Sequence, residues 1–381
     1  MSGNNIKKYD YIDALRGVAI ALVVLVHASQ SVKPLSDVLM RIMAEGARGV
    51  QLFYIASAIT LCMSWSARRK DDLRPVRDFY LRRIFRIAPM FYLAIVLFLF
   101  LNGAVASYFA PNGISWWFVP VTALFLHGFH PETINSVVPG GWSVAVEMTF
   151  YLIFPLLVRI EKLKYLLLLL AVSLLLQKVN APIAGLFFQY EPAQRYLIDV
   201  FAFYNFISQF PVFVMGLITY RYLAEQRKVD AKTVMVALAV FFVLSIEFWH
   251  PQQAFVQSHV IAGAIFAIFS IFLARKPISL LVNPLMVLLG KLSFSMYLVH
   301  IAILKLLSGT RIPTAMGEGD VNSVLFFLFV LSITAVVSWV TYNVIEKPGI
   351  ALGRRLIERL EAKHASELLI SNATKMNDSR Q

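Results

Sequence analysis

Cysteine is nearly absent from this chain. Cys62 stands alone among 381 residues, which excludes an internal disulfide framework and leaves no thiolate cluster for zinc. Charge is also scarce, at 15% of residues, against roughly 25% in soluble domains. Strand-like alternation is missing: residues 165–176 and 325–337 are almost continuously apolar, which argues against a transmembrane barrel. No internal repeat and no long linker divides the chain. What remains is apolar, with 59% hydrophobic residues and a mean hydropathy of +0.69. This composition predicts an all-α polytopic membrane protein.

The apolar runs predict about ten transmembrane helices, over residues 12–31, 50–66, 84–102, 142–158, 163–177, 203–220, 233–249, 257–274, 285–307 and 322–345. A further segment, 116–129, is short for a crossing and reads as re-entrant or interfacial. The net charge of +13 could suit nucleic acid, but its distribution follows membrane topology instead. With ten spans and both termini in the cytosol, most Lys and Arg fall on the cytosolic side; a crossing at 116–129 would reverse that balance. Asp13 and Arg16 interrupt the first apolar run and further spans follow, which does not fit a cleavable signal peptide. The tail, 351–381, is charged; 354–367 reads as an interfacial helix or a solvated tail, and 371–381 as disordered.

After the first turn of the first span, Arg16 and His27 are the strongly polar side chains. Eleven residues of helix amount to three turns plus about 20°, so the two share a face about 16 Å apart along the axis. Ionisable side chains inside a membrane are expensive, which makes them functional candidates. The bland alternative is a snorkelling Arg and a His bonded to a neighbouring helix.

Between the second and third spans stands a row of basic residues ending in Arg82, Arg83 and Arg86. Arg82 and Arg86 are one turn apart on one face. They suit either a topology signal or a phosphorylated cytosolic ligand gripped by planar guanidinium groups. The fourth span opens Gly140-Gly141-Trp142-Ser143 and carries Glu147. Running outside to inside, it puts Glu147 at a depth similar to that of His27, so the two can pair, and a carboxylate there would raise the basicity of the imidazole. The alternative is a Glu capped at the helix start by Ser143 and neighbouring amides. In the ninth span Ser293, Tyr297 and His300 fall at i, i+4 and i+7, a polar stripe that could equally bind helices together. His127, His130, His250 and His259 receive no role, and no metal-ligand spacing stands out.

Taken together these segments resemble the family 3 integral membrane acyltransferases, which include polysaccharide O-acetyltransferases. The resemblance rests on Tyr11-Ile-Asp13-Ala-Leu-Arg16-Gly17 with His27, and on Arg82-Arg83-Ile-Phe-Arg86-Ile-Ala-Pro89. It continues with Trp142-Ser143 to Glu147 and Phe150-Tyr151-Leu, Ser293-Phe-Ser-Met-Tyr297-Leu-Val-His300, and Ile345-Glu346-Lys347-Pro348. They occur in the family's order and define a membrane acyltransferase domain over 1–350.

The resemblance implies an O-acyltransferase of a bacterial cytoplasmic (inner) membrane. It would move an acyl group, most often acetyl, from cytosolic acyl-CoA to a hydroxyl of a cell-envelope glycan or lipid-linked glycan at the outer face. No tightly bound cofactor is implied; acetyl-CoA or another acyl-CoA is the donor substrate. It further implies chemistry at His27 and Glu147 and a donor site at Arg16, Arg82, Arg83 and Arg86. His27 as general base and an acyl-His intermediate remain rival routes. Trp142, Ser143, Tyr297 and His300 are substrate or oxyanion candidates. A carrier or flippase for a lipid-linked glycan would show similar intramembrane polar residues.

Overall fold

A computed structural model describes residues 10–69, 71–225 and 257–378. The described residues are helical and contain no strand. The helices are α1 (Asp10–Ser31), α2 (Asp37–Ala44), α3 (Gly49–Arg68), α4 (Pro75–Asn102), α5 (Phe118–Ala123), α6 (Gly141–Leu157), α7 (Leu163–Phe187), α8 (Tyr196–Tyr204) and α9 (Phe206–Ala224). After the undescribed stretch come α10 (Ser258–Arg275), α11 (Pro284–Ser308), α12 (Ile312–Met316), α13 (Asp320–Thr341) and α14 (Lys347–Asp378). Eight helical segments are long and apolar enough to cross a membrane, and α6, with 17 residues, is a shorter apolar helix. Nine of the ten expected spans thus correspond to described helices. The tenth, 233–249, and His250 lie outside the described residues.

Segment 116–129 does not cross. It folds into the six-residue α5 and a single turn at His127–Phe129. His127 is buried between Phe91, whose ring stacks at 5.5 Å, and the Gly141 carbonyl, 3.0 Å from Nε2. Burial lowers this imidazole to about 4, so it is neutral at physiological pH. The segment therefore seats itself against the start of α6. Gly140 takes φ +82° there, a left-handed conformation that glycine adopts without a Cβ penalty.

The bundle is centred on α1 and α11. The most apolar stretch of α11 is 72% buried, whereas that of α7 is 22% buried and presents Leu168, Leu175 and Phe187 outward, as a lipid-facing helix does. Two glycines set the central packing. A Cβ on Gly17 would fall 2.1 Å from the Met286 carbonyl oxygen, and one on Gly290 would fall 1.8 Å from that of Asp13. Only hydrogen fits at these positions, so the α1 and α11 backbones touch, as small residues permit in membrane bundles.

After α13 the helix widens into a π turn at Tyr342–Glu346, then continues as α14. The expected interfacial helix over 354–367 is thus part of a longer one, which runs on into the stretch expected to lack structure. It leans on α4 through Gly349 and Gly353, whose Cβ atoms would meet Pro89 and Phe85.

Candidate active site

Three cavities lie in a row through the bundle. The first, about 640 Å³, opens at the end that carries the α3–α4 connection; Arg16, Arg68, Arg82, Arg83, Arg86 and Arg354 line it. The second, about 70 Å³, is a narrow polar middle with Ser57, Ser143, Glu147, Tyr151, Ser293 and Tyr297 in its wall. It shares Arg16, Arg83 and Arg86 with the first. The third, about 380 Å³, lies toward the opposite end and holds His27, Trp142, Tyr204 and His300. Tyr297 and Val50 line both the second and the third.

The shared face of α1 is what joins the ends of this row. Arg16 sits where the first and second cavities meet, donating to Thr60 at 3.2 Å and lying 3.9 Å from Asp13. His27, three turns on, lies in the third. The α11 stripe follows the same line. Ser293 faces the middle cavity, Tyr297 both the middle and third, and His300 the third. These residues therefore line the cavities and do not merely join helices.

The arginines of α4 are anchored differently from one another. Arg82 pairs with Asp72. Arg83 lies 5.7 Å and 5.8 Å from the ring centres of Phe79 and Tyr151, and its Nε has no hydrogen-bond partner. Arg86 reaches the fully buried Glu346 at 3.7 Å. Ser295 donates to the other oxygen of that carboxylate at 2.8 Å. Glu346 went unassigned in the sequence, although a carboxylate closing a long apolar run is itself a signal.

Glu147 and His27 are not brought together. Ser57 donates to Glu147 Oε1 at 2.6 Å, and the Tyr151 hydroxyl donates to the same oxygen. The two residues line different cavities. The reason is the recessed start of α6. Gly140 accepts a hydrogen bond from Tyr297 inside the bundle, so Glu147 falls opposite the middle of α3, well short of the end of α1. Ser143 does not cap Glu147 either. Its hydroxyl donates to Tyr297 Oη at 2.7 Å, and Tyr297 donates in turn to the Gly140 carbonyl at 3.0 Å.

His27 instead meets His300. His27 Nδ1 lies 2.8 Å from the Val23 carbonyl and 3.4 Å from His300 Nε2. His300 Nδ1 lies 3.2 Å from the Met296 carbonyl. The hydrogen-bond network assigns the proton of each ring to Nδ1. His300 Nε2 then presents a lone pair to the His27 N–H, and His27 Nε2 is left as an acceptor. Trp142 packs on Tyr204, with ring centres 4.5 Å apart, in the same cavity.

Among the described residues one group of carboxylates comes together, Asp72, Asp78 and Glu361, with oxygens within 4.8 Å of one another. Arg82 pairs with Asp72, Arg77 with Asp78 at 2.7 Å, and the Leu73 N–H donates to Glu361 at 3.2 Å. These ties make it an ion-pair cluster fastening the α3–α4 connection to α14.

Comparison with known proteins finds acyltransferases. The chain is 21% identical over 384 residues to the Staphylococcus aureus (strain COL) protein named "Putative O-acetyltransferase SACOL0978", covering 90% of this chain and 58% of that protein. It is 29% identical over 128 residues to the acyltransferase MdmB of Streptomyces mycarofaciens, covering 32% of this chain and 31% of that one. Against the peptidoglycan O-acetyltransferase OatA of Listeria monocytogenes it is 29% identical over 162 residues, or 38% of this chain and 23% of that one. The chain thus spans little more than half the length of the Staphylococcus relative. No solved structure matches it. The family model described as an acyltransferase domain matches residues 9–343, nearly the whole membrane bundle, and the chain belongs to that acyltransferase family.

Proposed function

We propose that this protein is a membrane O-acyltransferase. It takes an acyl group, most simply acetyl, from acyl-CoA at its basic end and passes it to a hydroxyl of a cell-envelope glycan at the other. The observation that carries this reading is the row of three cavities: an arginine-lined one, a narrow polar one and one with paired histidines. The nucleotide of the donor suits the first, where guanidinium groups meet phosphate. A thin pantetheine arm suits the second, and its thioester reaches the mouth of the third. The positive-inside rule puts the basic end in the cytosol. The O-acetyltransferase names among the relatives favour the acetyl group and the glycan hydroxyl.

In this reading His27 Nε2 takes the proton of the acceptor hydroxyl as its oxygen attacks the thioester carbonyl. The C–S bond breaks, and the imidazolium returns the proton to the departing CoA sulfur. The Val23 carbonyl holds the reactive tautomer, and His300 stabilises the charged ring through its lone pair. Tyr297 can turn its hydroxyl from the Gly140 carbonyl to the developing oxyanion. Glu147 keeps Tyr151 and Ser57 in place along the donor arm and offers its second oxygen to an amide N–H of the pantetheine.

Purified protein in lipid vesicles, supplied with acetyl-CoA and a panel of cell-envelope glycans, tests the reading. Thiol release should depend on an acceptor, with a matching mass gain of one acetyl group. An intact thioester in the presence of a transported glycan would support a carrier instead.

A further inference from the structure

The family match ends at residue 343, yet the arginine-lined cavity is not complete without α14, which begins at Lys347. Ile350, Arg354, Ile357 and Glu358 of that helix form one of its walls. Packing holds this wall in place. A Cβ on Gly353 would lie 2.6 Å from Phe85 Cβ, and one on Gly349 2.8 Å from Pro89 Cγ, so α14 lies directly on the helix that carries Arg82, Arg83 and Arg86.

Of the arginines in the cavity, three have a polar partner, and a fourth, Arg83, lies where the first cavity meets the middle one. Arg16 has Thr60 and Asp13, Arg82 has Asp72, Arg86 has Glu346, and Arg83 lies among aromatic rings. Arg68 has no hydrogen-bond or ion-pair partner among the described residues. Arg354 has only Glu358, at 3.8 Å with both side chains largely exposed, and a pair of that kind holds weakly. Arg68, on α3, and Arg354, on α14, line this cavity and not the middle one, and both are exposed, as rim residues are.

We propose that Arg68 and Arg354 form a subsite for the phosphomonoester of the donor, the 3′-phosphate on the ribose of CoA. The proposal rests on the acyl-CoA reading above. When the thioester points inward through the middle cavity, the ribose phosphate is at the far end of the molecule, and the rim is where it emerges. A phosphomonoester carries a charge of about −1.5 to −2 at pH 7, more than any other single group of the donor. Two unengaged guanidinium forks match that charge and its oxygen geometry. Arg354 exchanges Glu358 for the phosphate on binding, and α14 thereby becomes part of the donor site.

The test compares CoA with 3′-dephospho-CoA, binding each to the full-length protein in nanodiscs by calorimetry. The parent chain is expected to prefer CoA by about tenfold, as the loss of charge-assisted hydrogen bonds implies. Arg354→Gln and Arg68→Gln should each remove most of that preference while leaving affinity for 3′-dephospho-CoA unchanged. Arg355→Gln, on the same helix but off the cavity wall, should keep it. Thermal unfolding of each variant confirms that it is folded. A preference for CoA that survives in both rim variants overturns the subsite, as does equal binding of the two ligands by the parent chain. Failure of the parent chain to bind either ligand overturns the acyl-CoA reading itself.

Discussion

His27 and His300 stand with ring centres 5.1 Å apart and planes tilted by 55°. Each ring is tethered by a carbonyl one turn before it on its own helix, Val23 for His27 and Met296 for His300. Both tethers hold Nδ1, so the backbone of two different helices sets the tautomers. In the proposed reaction His300, fully buried, takes the supporting place beside His27 that a carboxylate takes in many acid–base pairs.

That arrangement predicts how the pair fails. His27→Ala should lower turnover by about 10²–10⁴, the usual worth of a positioned acid–base group. His300→Ala should cost roughly 10² in kcat with little change in donor KM. The double variant should be hardly slower than His27→Ala alone, because His300 acts through His27. Steady-state rates at matched membrane abundance decide this. Independent, multiplying losses would remove His300 from its supporting role.

The helices were legible in the sequence because long apolar runs leave little choice inside a membrane. The row of cavities was partly legible too, since Arg16 with His27 and Ser293 with Tyr297 and His300 repeat at helical spacing. What one helix cannot reveal is how far its neighbour is shifted along the common axis. A depth for Glu147 similar to that of His27 requires α6 to begin at the rim. Its true start is set by Gly140 and His127, through contacts between segments distant from the first span. The partners Glu346 of Arg86 and His300 of His27 likewise depend on which helices touch.

Close backbone contact between α1 and α11 gives a stability prediction. Gly290→Ala forces a Cβ to within 1.8 Å of the Asp13 carbonyl oxygen, so the helices must part. Overpacking of this kind costs about 1–3 kcal/mol or more. Gly185→Ala meets nothing within 4 Å and should be neutral. Thermal unfolding in detergent distinguishes the two; equal melting temperatures would mean that α1 and α11 are not tightly apposed.

Topology gives a third test. In a Cys62→Ala background, Ser107→Cys in the segment between α4 and α6 should react with a membrane-impermeant maleimide added to intact cells. Asp71→Cys, between α3 and α4, should react only after the cells are opened. Labelling of position 71 from outside would invert the donor and acceptor sides assigned above.

The separation of Glu147 from His27 yields the last prediction. Had the two formed one acid–base unit, removing both would cost little more than removing His27. Glu147 instead accepts hydrogen bonds from Ser57 and Tyr151 in the middle cavity, beside the route assigned to the donor arm. Glu147→Gln keeps the shape of the side chain but turns one of its two oxygens into a donor, so one of the two hydroxyls or the pantetheine amide loses its acceptor. The expected effect is a rise in donor KM of about tenfold, with a smaller fall in kcat. Combined with His27→Ala, the two losses in kcat/KM should multiply, since residues that share no partner behave additively in free energy. This is the reverse of the outcome expected for His27 with His300, and both cycles can be run on the same acetyl-transfer assay. A double variant no slower than His27→Ala would mean that Glu147 reaches His27 in the working enzyme, through a movement of α6 against α1.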